Sequence, residues 1–313
     1  MSAEAVRGLV LNIQHFCTDD GPGIRTNVFL KFCSLHCKWC SNPESIGPKP
    51  EIAYDSRKCI GAKACGRCLK APAPEGAFYV VEGEDTVRVN WDLAHEAGGE
   101  LAALCPAGAI SLFGRSMTVD EVLQEVEQDG TFYRESGGGI TLSGGECLLQ
   151  PDFSAALLRE ARNRGISTAI ETAGNVPWEF MEKVLHHVDV MLHDHKLTDP
   201  VRHKLWTGAD NSRILANFKK AYETFPDTKF IARTPLIPGV NDDEEHIRAV
   251  LAFIRPHANV VDYQLLPYHR FGASKYGFLG KVYELQDFSP PAQETLERLR
   301  AIIAESFGRA PAL

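Results

Sequence analysis

Six of the nine cysteines of this chain lie between Cys33 and Cys68. Cys33, Cys37 and Cys40 follow the spacing C-x3-C-x2-C. Thiolate is the soft ligand of iron–sulfur centres, and three closely spaced thiolates suit such a cluster. Three ligands leave one iron of a four-iron cluster open, and an open metal position admits substrate and chemistry. The same stretch, with His36 as fourth ligand, is also compatible with a structural zinc knuckle. A second set, Cys59-x5-Cys65-x2-Cys68, is joined at a distance by Cys105-Pro106. The first ten residues lack the apolar run of a secretory signal, and in a reducing compartment clustered cysteines read as metal ligands rather than disulfides.

The elements that must position these cysteines fall into three regions. The first, 1–54, carries a strand over Val6–Ile13, a turn at Asp20-Gly21-Pro22-Gly23 and a buried strand over Thr26–Phe32 that runs directly into Cys33. The second, 55–112, is rich in cysteine and turn residues, with short strands at Ala77–Val81 and Thr86–Asn90; it reads as an insertion. The third, 113–313, alternates strands at Gly139–Ser143, Ser167–Glu171, Val188–Leu192, Lys229–Arg233 and Val260–Leu266 with helices at 153–164, 177–187, 210–224, 242–254 and 290–306. Thr118-x-x-Glu121 is a capping box. Repeated βα units imply a parallel sheet, open or closed. The 33 Lys and Arg against 41 Asp and Glu give a net charge of −8, which disfavours a general nucleic-acid binder. No apolar run reaches the roughly 20 residues of a membrane span. The expectation is a cytoplasmic protein with one large domain and one small one.

With Trp39 before its last cysteine, the first motif resembles the signature of the radical S-adenosylmethionine (SAM) superfamily. The flanks narrow the resemblance. Asp20-Gly21-Pro22-Gly23-Ile24-Arg25-Thr26, Cys40-Ser41-Asn42-Pro43-Glu44 and Ser136-Gly137-Gly138-Gly139 resemble segments of the glycyl-radical-enzyme activating enzymes, over essentially the whole chain. The resemblance implies an α/β fold: a partial (β/α)6 TIM-like radical SAM barrel (1–54 and 113–313) with a small ferredoxin-like α+β insertion (55–112). It implies a [4Fe–4S] cluster on Cys33, Cys37 and Cys40 whose open iron is chelated by SAM. SAM contacts are implied for Trp39, Gly144, Gly145, Glu146, Thr172, Lys196, Arg233 and His269, with Glu146 receiving the methionyl amino group. Glu171, Thr172, Leu192 and Asp194 would build an oxygen-lined site for a monovalent cation, although Glu171 stands where some relatives have Asp. Asp20 would hold the partner's glycine loop.

The second cysteine set is compared with the bacterial ferredoxin run C-x2-C-x2-C-x3-C-P, whose fourth cysteine ligates the other cluster. Here Cys59, Cys65 and Cys68 keep three positions of one run, and Cys105-Pro106 keeps the end of the second. Together they form the ligand set of one auxiliary [4Fe–4S] cluster; the other cluster has lost all four ligands. A four-cysteine zinc site is the alternative. Cys17 and Cys147 receive no ligand role.

The resemblance implies reductive cleavage of SAM to a 5′-deoxyadenosyl radical, which abstracts a glycine Cα hydrogen from a partner glycyl radical enzyme. Isethionate sulfite-lyase ranks first as partner, ahead of choline trimethylamine-lyase, glycerol or diol dehydratase and hydroxyproline dehydratase. A low-potential flavodoxin or ferredoxin would donate the electron to a monomeric enzyme. Two other readings stay open: a radical SAM enzyme acting on a small molecule, and a non-catalytic iron–sulfur or zinc protein that transfers electrons or binds a partner.

Overall fold

The computed structural model describes residues 6–94 and 99–308. Along the chain its strands are β1 (Arg7–Cys17), β2 (Arg25–Leu30), β3 (Glu51–Tyr54), β4 (Phe78–Tyr79), β5 (Arg88–Val89), β6 (Ile110–Phe113), β7 (Arg115–Thr118), β8 (Gly139–Gly144), β9 (Ser167–Thr172), β10 (Val190–Asp194), β11 (Lys229–Leu236) and β12 (Val260–Pro267). Eight of them form one sheet in the order β12-β11-β10-β9-β8-β2-β1-β7. From β2 to β12 every pairing is parallel. β1 closes the other side antiparallel to β2 and β7. Helices at Pro151–Asn163, Trp178–Leu185, Ser212–Thr224, Glu244–Ile254 and Gln293–Phe307 separate or follow the strands. Six parallel strands with their helices make the partial (β/α)6 barrel that the sequence resemblance implies.

Period-two alternation along each strand divides this barrel. Outward residues such as Ile140, Leu142, Ile170, Met191, Phe230 and Ala232 enter the large core shared with the helices. Inward residues Ala169, Val190, Leu192 and Ile231 form a small apolar plug of their own. The next inward positions toward the C-terminal ends are Glu171, Asp194 and Arg233, with Asp194 opposite Arg233 in the register. Strand pairing therefore stacks a charged layer on an apolar floor. Thr118 and Glu121 form both arms of the capping box that starts the helix Val119–Val126.

A second core, including Ile52, Tyr54, Phe78, Val87, Leu101 and Ile110, lies apart from the first. β3 pairs antiparallel with β6, Glu51 opposite Phe113, so this region begins at 51 rather than 55. Its inner strands β4 and β5 are two residues each, shorter than the sequence suggests. The helix Pro200–Thr207 was not foreseen, because Val201 and Leu205 face solvent at 75% and 64% exposure while His203 and Thr207 are buried, so no apolar stripe marks it.

Arg25 is fully buried at the start of β2. Its guanidinium donates to Thr141 Oγ1 at 2.6 Å, to the Ile140 and Ser167 carbonyls at 2.7 and 3.1 Å, and to the Pro22 carbonyl at 3.0 Å. It thereby ties the Asp20–Gly23 turn beneath β8 and β9. Gly138 closes the same joint: a Cβ there would meet the Ile24 carbonyl oxygen at 1.8 Å, so the two glycine motifs are in direct contact. Replacing Arg25 by Met leaves several buried acceptors without a donor. Urea unfolding is expected to show a loss of about 2–4 kcal/mol, with no recovery in Arg25→Lys, since one ammonium cannot span the acceptors.

Candidate functional site

β2 delivers the chain to residues 31–46, which carry Cys33, Cys37 and Cys40. Backbone bonds fix both ends of this loop, Phe32 N to Ser45 O at 2.7 Å and Cys33 N to Ile46 O at 3.2 Å. The unforeseen helix Pro200–Thr207 receives its middle: His36 N donates to Thr207 O at 2.7 Å and Lys38 N to Trp206 O at 3.1 Å. On the other side Tyr276 Oη donates to the Cys40 carbonyl at 3.1 Å, and Lys275 Nζ reaches Asn42 Oδ1 at 2.9 Å and Glu44 Oε1 at 2.5 Å. Tyr276 and Lys275 lie on a short helix, Ala273–Phe278, with no signal in the sequence beyond the tyrosine.

The three cysteines line an open-mouthed cavity of about 370 Å³ at the C-terminal ends of the parallel strands. That is ample for a nucleoside-sized ligand. Trp39, Gly144, Gly145, Thr172, Lys196, Arg233 and His269 line it too, as do Asp20, Glu171 and Asp194. Burial pushes the thiols of Cys33 and Cys37 up to about 12 and that of Cys40 up to about 11. Buried thiols of this kind become thiolates when a metal centre supplies the compensating charge. The donor set therefore fits a [4Fe–4S] cluster, with Cys33, Cys37 and Cys40 holding it and a cavity in front for the group that completes the fourth iron. His36 is exposed and outside this cavity, which removes the fourth ligand of the zinc knuckle. Among the described residues no three His, Cys, Asp or Glu side chains converge as ligands of a single metal ion would.

Four charged side chains share the cavity wall with the cysteines. Arg233 Nη1 donates to Glu171 Oε1 at 2.6 Å and Arg233 Nε to Asp194 Oδ1 at 3.3 Å. Lys196 Nζ donates to Asp194 Oδ2 at 2.8 Å, and Ser143 Oγ donates to Glu171 Oε2. Burial alone would raise the Asp194 carboxyl, but Lys196 and Arg233 outweigh it and hold the group below the usual carboxylate range. Arg233 and Lys196 are held above their ordinary values despite burial, chiefly by Glu171 and Asp194 for the first and Asp194 for the second. Burial, then the neighbouring Glu171, pushes Asp20 up to about 7, and Asn27 donates to its carboxylate.

One expected role meets a different geometry. Glu146 does not line the cavity. It is 1% exposed and accepts from Leu148 N at 3.2 Å, Thr172 Oγ1 at 2.7 Å and Ala173 N at 3.0 Å. Its carboxylate braces the turn after β8 against the end of β9 instead of facing a ligand's ammonium. Leu192, expected to offer only its backbone carbonyl, keeps its side chain in the apolar floor. The carboxylates of the expected cation site already have cationic partners within the chain, Arg233 and Lys196. Gly145 shows why the turn needs glycine: a Cβ would lie 2.4 Å from the Phe32 carbonyl oxygen, so the turn runs flush against the root of the cysteine loop. His269 sits at the rim, its ring stacked on Phe271 with centroids 4.4 Å apart.

The second cysteine set is brought together as well. Cys59, Cys65, Cys68 and Cys105 line one small pocket of about 30 Å³. Tyr54 stands beside Cys59 and donates its hydroxyl to the Val87 carbonyl at 2.7 Å. Four thiols ringing a space, rather than meeting at a point, fit a cubane cluster. Cys147 is buried, donates to the Glu171 carbonyl and belongs to the large core. Cys17 lies at the end of β1, outside both cavities.

If Glu146 is a brace, Glu146→Gln should leave the SAM dissociation constant of the reconstituted protein within about threefold. It should still cost about 1–3 kcal/mol of stability, because the amide turns a donor toward Ala173 N. Equilibrium dialysis with SAM and thermal melts check the two halves.

Residues 104–251 match the model of the Radical SAM superfamily. An isethionate sulfite-lyase activating enzyme from Nitratidesulfovibrio vulgaris is 44% identical, with 96% of this chain and 96% of the relative covered. A (2S)-3-sulfopropanediol sulfolyase activating enzyme from Bilophila wadsworthia is 48% identical over 89% of this chain and 91% of its own. A choline trimethylamine-lyase activating enzyme from Oleidesulfovibrio alaskensis is 37% identical over 95% of both. Three half-buried thiols before a nucleoside-sized cavity, on a six-strand parallel barrel, thus coincide with near full-length likeness to enzymes of one kind, and the chain belongs to the radical SAM family of glycyl-radical-enzyme activating enzymes.

Proposed function

We propose that this chain activates a glycyl radical enzyme that cleaves the carbon–sulfur bond of a small sulfonate, with isethionate sulfite-lyase as the first candidate. The observation that carries the reading is the near full-length identity to activating enzymes of isethionate sulfite-lyase, 44–46% in three relatives. The 48% identity to a sulfopropanediol sulfolyase activator favours a second reading, in which the partner acts on the three-carbon sulfonate.

When bound and reduced by one electron, the cluster and SAM supply a 5′-deoxyadenosyl radical able to take a Cα hydrogen. The chain's own residues bind, orient and shield. Cys33, Cys37 and Cys40 hold the cluster. Lys196 and Arg233 offer positive charge to the methionyl carboxylate, while Glu171 and Asp194 keep the wall close to neutral. Trp39 and His269 flank the nucleoside. Asp20, in the cavity lining, holds the backbone of the partner's glycine loop. The buried walls exclude water from a radical that would otherwise be quenched.

The same reading takes Cys59, Cys65, Cys68 and Cys105 as ligands of one auxiliary [4Fe–4S] cluster in an insertion with its own core. It places a monomeric protein in the cytoplasm, where a low-potential flavodoxin or ferredoxin supplies the electron. A monovalent cation at Glu171, Thr172, Leu192 and Asp194 is part of the same reading; it would share the two carboxylates with Arg233 and Lys196, since each oxygen keeps a lone pair beyond the bond it accepts. Free cysteines in both sets suit a reducing compartment.

After anaerobic reconstitution the chain should hold about eight irons, falling to about four in a variant with the four insertion cysteines changed to serine. With SAM and dithionite it should form 5′-deoxyadenosine. With SAM and isethionate sulfite-lyase it should produce a glycyl doublet in the electron paramagnetic resonance spectrum. Cys33→Ser, Cys37→Ser and Cys40→Ser should each abolish both signals. A doublet with the sulfopropanediol enzyme alone would select the second reading, and 5′-deoxyadenosine with neither partner responding would sink the assignment of partner.

A further inference from the structure

Residues 56–70, which carry Cys59, Cys65 and Cys68, hold five of the chain's 33 cationic residues and none of its 41 acidic ones. All five, Arg57, Lys58, Lys63, Arg67 and Lys70, are exposed. Arg57 is engaged with Asp55 and lies over the Phe278 ring. Among the described residues the other four make no ion pair. In a chain of net charge −8 this is a local excess of positive charge, with Asp55 against Arg57 and Asp85 against the backbone of Lys63 as its acidic neighbours. Exposed apolar side chains stand among the cations: Ile60 at 56%, Leu69 at 40% and Leu104 at 37%. Ile60, Arg67 and Leu104 are also walls of the four-cysteine pocket, so the surface is the outer skin of that site.

The inner side of the insertion rests on the segment that grips the other cysteine loop. Phe278 underlies Arg57, Gly280 abuts the Trp91 ring, and Lys281 Nζ reaches Glu51 Oε1 at 3.3 Å. Four residues before Gly280, Tyr276 donates to the Cys40 carbonyl. The two cavities share no lining residue, and this packed segment joins them.

We propose that the basic, apolar-studded face over the four-cysteine site is the docking surface for an acidic one-electron carrier protein. The proposal rests on the reading of that site as an auxiliary iron–sulfur cluster. Charge complementarity brings the carrier in, and the apolar side chains give the short-range contact that a transient electron-transfer encounter needs. One electron would leave the reduced carrier, which is oxidised, and a cluster held by Cys59, Cys65, Cys68 and Cys105 would be the group reduced; no proton moves. The partner glycyl radical enzyme, by contrast, must reach the other cavity, where Asp20 lies.

The test uses the full reconstituted chain and a strongly acidic low-potential flavodoxin. Lys58→Glu/Lys63→Glu/Lys70→Glu should raise the flavodoxin concentration that half-saturates 5′-deoxyadenosine formation by about tenfold or more, and the neutral Gln triple by less. The wild-type value should rise with salt and the reversed triple's should not. Rates with dithionite should stay within about twofold of wild type. Anisotropy titration of oxidised flavodoxin at low salt should show the same order of affinities without turnover. Unchanged flavodoxin affinity, or an equal loss with dithionite, overturns the proposal. So does a reversed triple that keeps its flavodoxin response but loses glycyl radical formation with dithionite, since the face would then belong to the partner enzyme. An iron content of about four per wild-type chain would instead be a failure of the cluster reading; the anisotropy titration judges docking independently of it.

Discussion

Two carboxylates and two cations buried against each other on one cavity wall are the constraint around which this barrel is arranged. Taken singly, each of Glu171, Asp194, Lys196 and Arg233 would be costly to desolvate. Alternated, with Arg233 between the two acids and Lys196 on the far side of Asp194, they neutralise one another. The alternation depends on strand register: Asp194 lies opposite Arg233 because β10 and β11 pair in parallel, and Glu171 comes from the next strand across. A shift of one residue would turn the charges into the helix layer and the apolar floor into the cavity. Register, floor and ligand wall are thus one specification.

The cysteine loop depends on that barrel differently. Backbone groups fix its ends and its middle, a helix after β10 and Tyr276 after β12 clasp it, and side chains such as Ser34, Asn42 and Glu44 add bonds to neighbouring segments. Elements far apart in sequence therefore set the positions of three thiols within an eight-residue span. Cluster-free burial leaves those thiols protonated at neutral pH, so the loop has the shape of a receptor whose charge state waits on the metal.

Much of this could be read in the sequence where local chemistry and periodicity agreed. The parallel strands announced themselves as short apolar runs, the capping box at Thr118 and Glu121 held, and the two cysteine sets gathered as two groups. What escaped had physical reasons. The helix Pro200–Thr207 points Val201 and Leu205 at solvent, so its pattern carries no stripe. Glu146 is spoken for by a backbone amide and a hydroxyl at the end of the neighbouring strand β9, a partnership no spacing encodes. The pairing of the supposed cation ligands with Arg233 and Lys196 depends on which residues face inward at the same height of neighbouring strands. Family resemblance named the residues at the site; the tertiary register decided what each one touches.

The short ladder of β3 and β6 has a consequence for how this chain can change. With Glu51 opposite Phe113 and Tyr54 opposite Ile110, the insertion leaves and re-enters the barrel through one zipped stalk. The cost of closing so long a loop is met by the stalk and depends only weakly on the length beyond it. What sits past the stalk can therefore gain or shed residues and metal ligands while the barrel keeps its geometry. A stem of four residue pairs makes the cysteine-bearing unit a replaceable cartridge, and lineages could re-equip the enzyme for a new electron supply without redrawing the place where the radical is made.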